Sequence, residues 1–167
     1  MTEPQAQDFV ERLDRVKPRL ERLAAKAKPE ALTDPHPKTG DQWDWGQEWA
    51  HIAEFPPYWT NQVRTMLAEP PDPSRLFGRV ATDPDRLANI ESERHTPPKA
   101  LWPKLSQDID GIRRLLEDMT ADDWARTVTH RNMGLLDMPK VFDEFLVGHL
   151  EGHADELEGL LERPGGS

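Results

Sequence analysis

The chain contains no cysteine. Disulfides, thiolate metal sites and a cysteine nucleophile are therefore excluded, and any metal must be held by His, Asp or Glu. Thiol chemistry, if there is any, must draw its sulfur from a small molecule. No apolar run approaches the ~20 residues that cross a bilayer, so no membrane partner is expected. β-Branched residues are sparse and no stretch alternates cleanly between apolar and polar, so strands are not expected either. Basic residues are in deficit: 21 Lys and Arg against 31 Asp and Glu give a formal net charge of -10. That balance disfavours nucleic acid, which is bound largely by cations neutralising phosphates, and anionic membrane surfaces. The opening MTEPQAQDF is polar and acidic, unlike a secretory signal or an Arg-rich transit peptide, and the expected location is the cytoplasm.

What is present is helical periodicity. A chain of 167 residues suits one domain with one core, expected over residues 1–163 with 164–167 as a C-terminal tail. Phe9, Leu13, Val16, Leu20, Leu23 and Ala27 recur every three or four residues and predict a helix from about Gln5 to Lys28. Pro18 should kink it, because proline lacks the N–H of the helix ladder. Trp45, Trp49, Ile52, Trp59 and Val63 predict a second helix from about Asp44 to Ala68, with a kink or break at Pro56-Pro57. A Pro-rich connection over 69–84 follows, then a short helix near Asp85 to Arg94. Leu101, Leu105, Ile109, Ile112, Leu116 and Met119 mark a third long helix beginning near Pro97 or Pro103. Thr120 to Asp123 reads as a capping signal for a short turn at Trp124. The fourth long helix is expected from about Pro139 to Glu162. Four amphipathic rods of similar length bury their stripes side by side, so the expected fold is all-α, a four-helix bundle with a long crossover between the second and third helices.

The chemistry concentrates in VFDEFLVGHLEGHADELEGLL, residues 141–161. At about 100° per residue, Phe142, Phe145, Leu146, Leu150, Leu157 and Leu160 form one apolar face with His149 and His153 near its middle. Asp143, Glu144, Glu151, Asp155 and Glu158 fall mostly on the solvated side. A spacing of four stacks the two rings on the same side of the helix, which suits two ligands of one metal as well as two hydrogen-bonded core histidines. Adjacent polar groups on an apolar face each cost about 1–3 kcal/mol if unpartnered, and a shared metal resolves both. His51, on the flank of the second helix's stripe, is the natural third ligand. Glu48, one turn earlier, is a fourth ligand, a hydrogen-bond acceptor behind a ligand ring, or a solvated boundary residue. Glu156 falls on the histidine face near the helix end and is expected to reach water. His36, His95 and His130 read as loop histidines. Trp43, Trp45, Trp49 and Trp59 read as core. No catalytic residue is assigned.

Trp45, Glu48 and His51 form a W-x-x-E-x-x-H run, Met119 to Trp124 lies between the long elements, and a loop with Asn132, Met133 and Gly134 leads into the helix carrying His149 and His153. In this order the residues resemble the DinB/YfiT-like superfamily over nearly the whole chain. The resemblance implies an up-down-down-up four-helix bundle, a metal site of His51, His149 and His153, a homodimer, and a cytoplasmic bacterial protein. Pro56-Pro57 and the connection at 69–84 are departures from the family pattern. Members of known activity include metal-dependent transferases and isomerases that use low-molecular-weight thiols such as mycothiol or bacillithiol.

Three protein nitrogens with an open fourth position suit a catalytic metal. All-imidazole ligation fits Zn or Ni first, with Fe and Cu as alternatives. The leading expectation is a metal-dependent transferase or isomerase acting on a small-molecule substrate with an external thiol. A metal-dependent hydrolase and a non-catalytic, stress-associated metal-binding dimer are the alternatives.

Overall fold

The computed structural model describes residues 4–164; the tail expected at 164–167 lies, but for Pro164, outside them. Four long rods build the molecule. Helix α1 is Pro4–Ala24 and α2 is Trp45–Ala68. After β1 (Leu76–Phe77) and α3 (Pro84–Glu93) comes α4, Pro98–Asp118. The short α5 (Ala121–Trp124), β2 (Thr127–His130) and β3 (Gly134–Asp137) lead into α6 (Met138–Phe145) and α7 (Val147–Glu162), which together make the fourth rod. The apolar stripes read from the sequence are the faces that meet: Phe9, Leu13, Val16 and Leu20 of α1, Trp49, Ile52 and Val63 of α2, Leu105, Ile109 and Ile112 of α4, and Leu150, Leu157 and Leu160 of α7 share one buried cluster. Among the described residues no helix is long and apolar enough to cross a membrane.

Both α1 and α2 pack against α4 and α7, which puts α1 and α2 on one diagonal of the bundle. The ion pairs give the directions. Arg12 meets Glu151 and Arg19 meets Glu158, so α1 and α7 run parallel. Lys17 meets Asp110 while Asp14 meets Arg113, so α1 and α4 are antiparallel. Glu48 meets His153 and His51 meets His149, so α2 and α7 are antiparallel. In chain order the rods run up, down, down, up. Parallel neighbours need a connection that returns the length of a rod, about 36 Å for 24 residues at 1.5 Å each. That is why the segment between α2 and α4 is long.

Four details depart from the sequence expectation. The first is a three-stranded sheet in the order β1-β2-β3. Here β1 pairs parallel to β2 through Leu76 and Phe77, and β2 pairs antiparallel to β3 from Thr127↔Asp137 to His130↔Gly134. Thr127, Val128 and Thr129 are three β-branched residues in a row, a run too short to show alternation. The second is α2, which runs unbroken through Pro56 and Pro57. Each proline deletes a ladder bond, but Phe55, Pro56 and Trp59 are buried at this turn and packing holds the helix. The third is α1, which stops at Ala24 and leaves Ala27 exposed. The fourth is the break in the last rod at Leu146, where φ is -127° and ψ is -94°. A Cβ on Gly148 would lie 2.2 Å from the Asp143 carbonyl oxygen, so only glycine permits this close turn.

Candidate metal centre

Helices α2 and α7 bring His51, His149 and His153 together. The Nε2 atom of His149 lies 3.0 Å from Nε2 of His51 and 3.2 Å from Nε2 of His153. One ligand nitrogen from each of the three falls within 4.8 Å of the others. A tetrahedral ion with Zn–N bonds of about 2.0–2.1 Å separates its nitrogens by about 3.3 Å, so this spacing could hold one metal ion.

The backs of the rings determine the character of the fronts. His51 Nδ1 is 2.8 Å from Glu54 Oε1, and His153 Nδ1 is 2.7 Å from Glu48 Oε2. A carboxylate at Nδ1 accepts the ring proton there, which leaves Nε2 as a bare lone pair. Two such lone pairs aim at His149 Nε2, and that atom can donate a proton to at most one of them. The cluster is therefore short of positive charge at its centre, which a cation would supply.

Glu54 is fixed in turn by the buried Arg79, whose Nη2 donates to both carboxylate oxygens at 2.7 and 2.5 Å. The Arg79 guanidinium covers the Tyr58 ring at 3.9 Å. This chain from Arg79 through Glu54 to His51 did not emerge from sequence reasoning. Glu54 carried a signal, since it follows His51 by three residues and shares its face. Arg79 carried none, because it lies in the connection read as loop. Glu48 is buried behind His153 and does not sit at a solvated helix boundary. Glu156 is exposed, as expected.

The other histidines separate. His36 and His95 are exposed. His130 is not a loop residue: it ends β2, is buried, stacks on Phe145 at 5.0 Å, and its Nδ1 accepts from the Asn132 and Met133 amides. Trp45, Trp49 and Trp59 are core. Trp43 departs from that expectation, being half-buried with its ring centre 5.3 Å from that of His51 in an edge-to-face arrangement. It helps wall a cavity of about 360 Å³ that also reaches His153, Glu48, Glu156 and Arg86.

Burial, reinforced by the neighbouring histidines, holds His51 well below the usual imidazole value; burial and His153 do the same to His149, partly opposed by the Glu144 backbone. Both rings are thus neutral in the fold and take up protons on unfolding. Their contribution is fully present above the unfolded value of about 6.5 and is lost as pH falls towards the depressed folded values. Metal-free protein should melt at a clearly lower temperature at about pH 5.5 than at about pH 7. Glu54 and Glu156, both raised by burial, oppose this nearer the carboxylate range. Identical melting curves at the two pH values would contradict the assignment of neutral rings.

No family model and no curated protein matches the chain. Solved structures do. YfiT from Bacillus subtilis, described as a probable metal-dependent hydrolase with an unusual four-helix bundle topology, is similar over 100% of this chain and 91% of its own, with a TM-score of 0.73 at 16% identity. The mycothiol-dependent maleylpyruvate isomerase is similar over 94% of this chain with a TM-score of 0.68 at 12% identity, and the chain spans 63% of that protein's length. An uncharacterized protein from Clostridium difficile 630 matches over 97% of this chain and 98% of its own, at a TM-score of 0.62 and 11% identity. The likeness is one of fold, and the fold is that of a DinB-like four-helix bundle.

Proposed function

We propose that this chain, built on the DinB/YfiT-like fold, holds one divalent transition metal on His51, His149 and His153 and is a metal-dependent enzyme acting on a small-molecule thiol, as a transferase or isomerase. The observation that carries the reading is the pair of carboxylate-backed imidazoles whose lone pairs converge on a third ring. When bound, such a metal acts as a Lewis acid at its open position, towards a thiolate or a water. The protein's own residues do the rest. Glu54 and Glu48 hold the protons at Nδ1 of His51 and His153 and fix the ring orientations. Phe55, whose ring centre is 4.4 Å from that of His149, shields the cluster from water. The absence of cysteine means that the thiol comes from outside. The mycothiol dependence of the isomerase similar in fold supports the thiol route. A cytoplasmic location and a homodimer belong to the same reading.

The more complete likeness to YfiT favours a second reading, metal-dependent hydrolysis. One experiment separates the two. Metal-loaded protein is incubated with a general electrophile and a panel of thiols, and in parallel with activated ester and amide substrates. Thiol conjugation that stops on chelation and returns with added metal is the expected result. Ester or amide cleavage with the same metal dependence and no conjugation would move hydrolysis to first place. Neither activity in protein carrying a full complement of metal would leave a metal-binding bundle without these chemistries.

A further inference from the structure

Arg86 is the cavity residue that the cluster does not use. It enters on the first turn of α3, where its backbone amide donates to the capping Asp83 side chain at 3.0 Å. The α3 end sits close on α2 because residue 46 is glycine: a Cβ there would lie 2.0 Å from the Arg94 carbonyl oxygen. The Arg86 guanidinium is half-buried, donates through Nη1 to the Ala81 carbonyl at 2.8 Å, and lies over the Trp43 ring at 5.3 Å. Among the described residues it has no carboxylate partner, whereas Arg12, Arg19, Arg79 and Arg113 each have one. Of the carboxylates around it, Glu54 pairs with Arg79, Glu48 with His153 and Asp34 with Arg163 at 3.2 Å, Asp83 accepts from the α3 amide, and Asp41 and Glu156 line the cavity without forming an ion pair with Arg86. A guanidinium drawn out of water with no carboxylate in direct contact is costly unless a ligand supplies the anion.

We infer that Arg86 and Trp43 form a subsite for the carboxylate of a small-molecule ligand, whose other end reaches the histidine cluster; only that other end rests on the metal reading above. The guanidinium fork matches a planar carboxylate in two parallel hydrogen bonds. Trp43 adds an apolar surface between the two ends, since the same ring neighbours both Arg86 and His51. The rest of the wall selects charge. Asp34, Asp41, Glu48 and Glu156 line the same cavity and repel a doubly charged phosphate more than a singly charged carboxylate.

The test is calorimetric titration of metal-loaded protein with 3-mercaptopropionate and with 2-mercaptoethanol, which share a thiol and differ in the carboxylate. The wild type is expected to bind the acid at least about tenfold more tightly, in line with a charge-assisted hydrogen-bonded pair. Arg86→Met should abolish this preference while leaving 2-mercaptoethanol affinity and metal content unchanged, and Arg86→Lys should restore only part of it. Inorganic phosphate should not compete. An Arg86→Met protein that keeps the preference, a wild type that shows none, or phosphate binding tighter than the carboxylate would each overturn the inference. A metal-free arm with benzoate separates the two readings. Arg86-dependent benzoate binding by protein that never takes up metal would sustain the subsite and sink the metal, whereas full metal content without carboxylate preference would do the reverse.

Discussion

Replacing His149 with alanine is expected to strip the protein of most of its metal and leave the bundle folded. His149 Nε2 is the atom on which the other two rings converge, at 3.0 and 3.2 Å, so its loss takes away the middle of the tripod. The fall in affinity should exceed the ~10–100-fold typical of losing a hydrogen-bond partner behind a ligand. The fold should survive because the surrounding packing is apolar and complete without the ring: Phe142, Leu146, Leu150 and Leu157 are fully buried. By the same argument, chelated wild-type protein should keep its helicity and lose only modest thermal stability, whereas a structural metal would take the fold with it. Elemental analysis of protein purified without a histidine tag, beside melting curves with and without chelator, measures both. Wild-type metal content in all three single alanine variants, at His51, His149 and His153, would refute the ligand assignment. Loss of helical signal on chelation at room temperature would reassign the metal to stability.

The second large effect belongs to a residue that touches no ligand atom. Arg79→Met removes the cation that Glu54 is buried against, with side chains only 8% and 10% exposed. Breaking a buried pair from one side costs about 3–5 kcal/mol, because the remaining charge is left without compensation. Burial already pushes Glu54 up, and Arg79 is what opposes it. Without the arginine the carboxyl should tend towards its neutral form and hold the His51 Nδ1 proton less well. Metal affinity should then fall by ~10–100-fold. The double variant Arg79→Met with Glu54→Leu distinguishes the two consequences. Removing both partners should recover much of the stability, while affinity stays low because His51 has lost its acceptor. Urea unfolding and competition with a chelator read the two quantities. An Arg79→Met protein unchanged in both would remove the argument for the relay.

The bundle was legible in the sequence because four apolar stripes at helical spacing leave few other ways to bury themselves. The histidine cluster was legible because two of its members are four residues apart on one face and the third lies on a helix with its own stripe. What escaped notice depends on contacts between distant segments. Arg79 pairs with Glu54 across 25 residues, and nothing local marks an arginine in a Pro-rich connection as a buried counter-ion. Sheet strand β1 has only two residues and exists by pairing with β2. The break at Leu146 turns on Gly148 meeting the Asp143 backbone, an approach that periodicity cannot register. Pro56 and Pro57 misled in the opposite direction: the local rule predicts a break, and tertiary packing overrides it.

The diagonal placement of α1 and α2 has a consequence for the order of events during synthesis. His51 and His149, which meet in the cluster, are separated by 98 residues. Closing so long a loop is entropically late in folding. As the chain leaves the ribosome, α1 and α2 emerge first, yet they are not packing neighbours and must await α4 and α7. A nascent chain that ends before α7 offers one imidazole of the three. On the three-histidine reading proposed above, ion capture would be deferred until α7 docks in the groove between α1 and α2, where Arg12 and Arg19 of α1 engage Glu151 and Glu158 of α7. Selection among the available metals would then fall to the folded bundle, not to the growing chain.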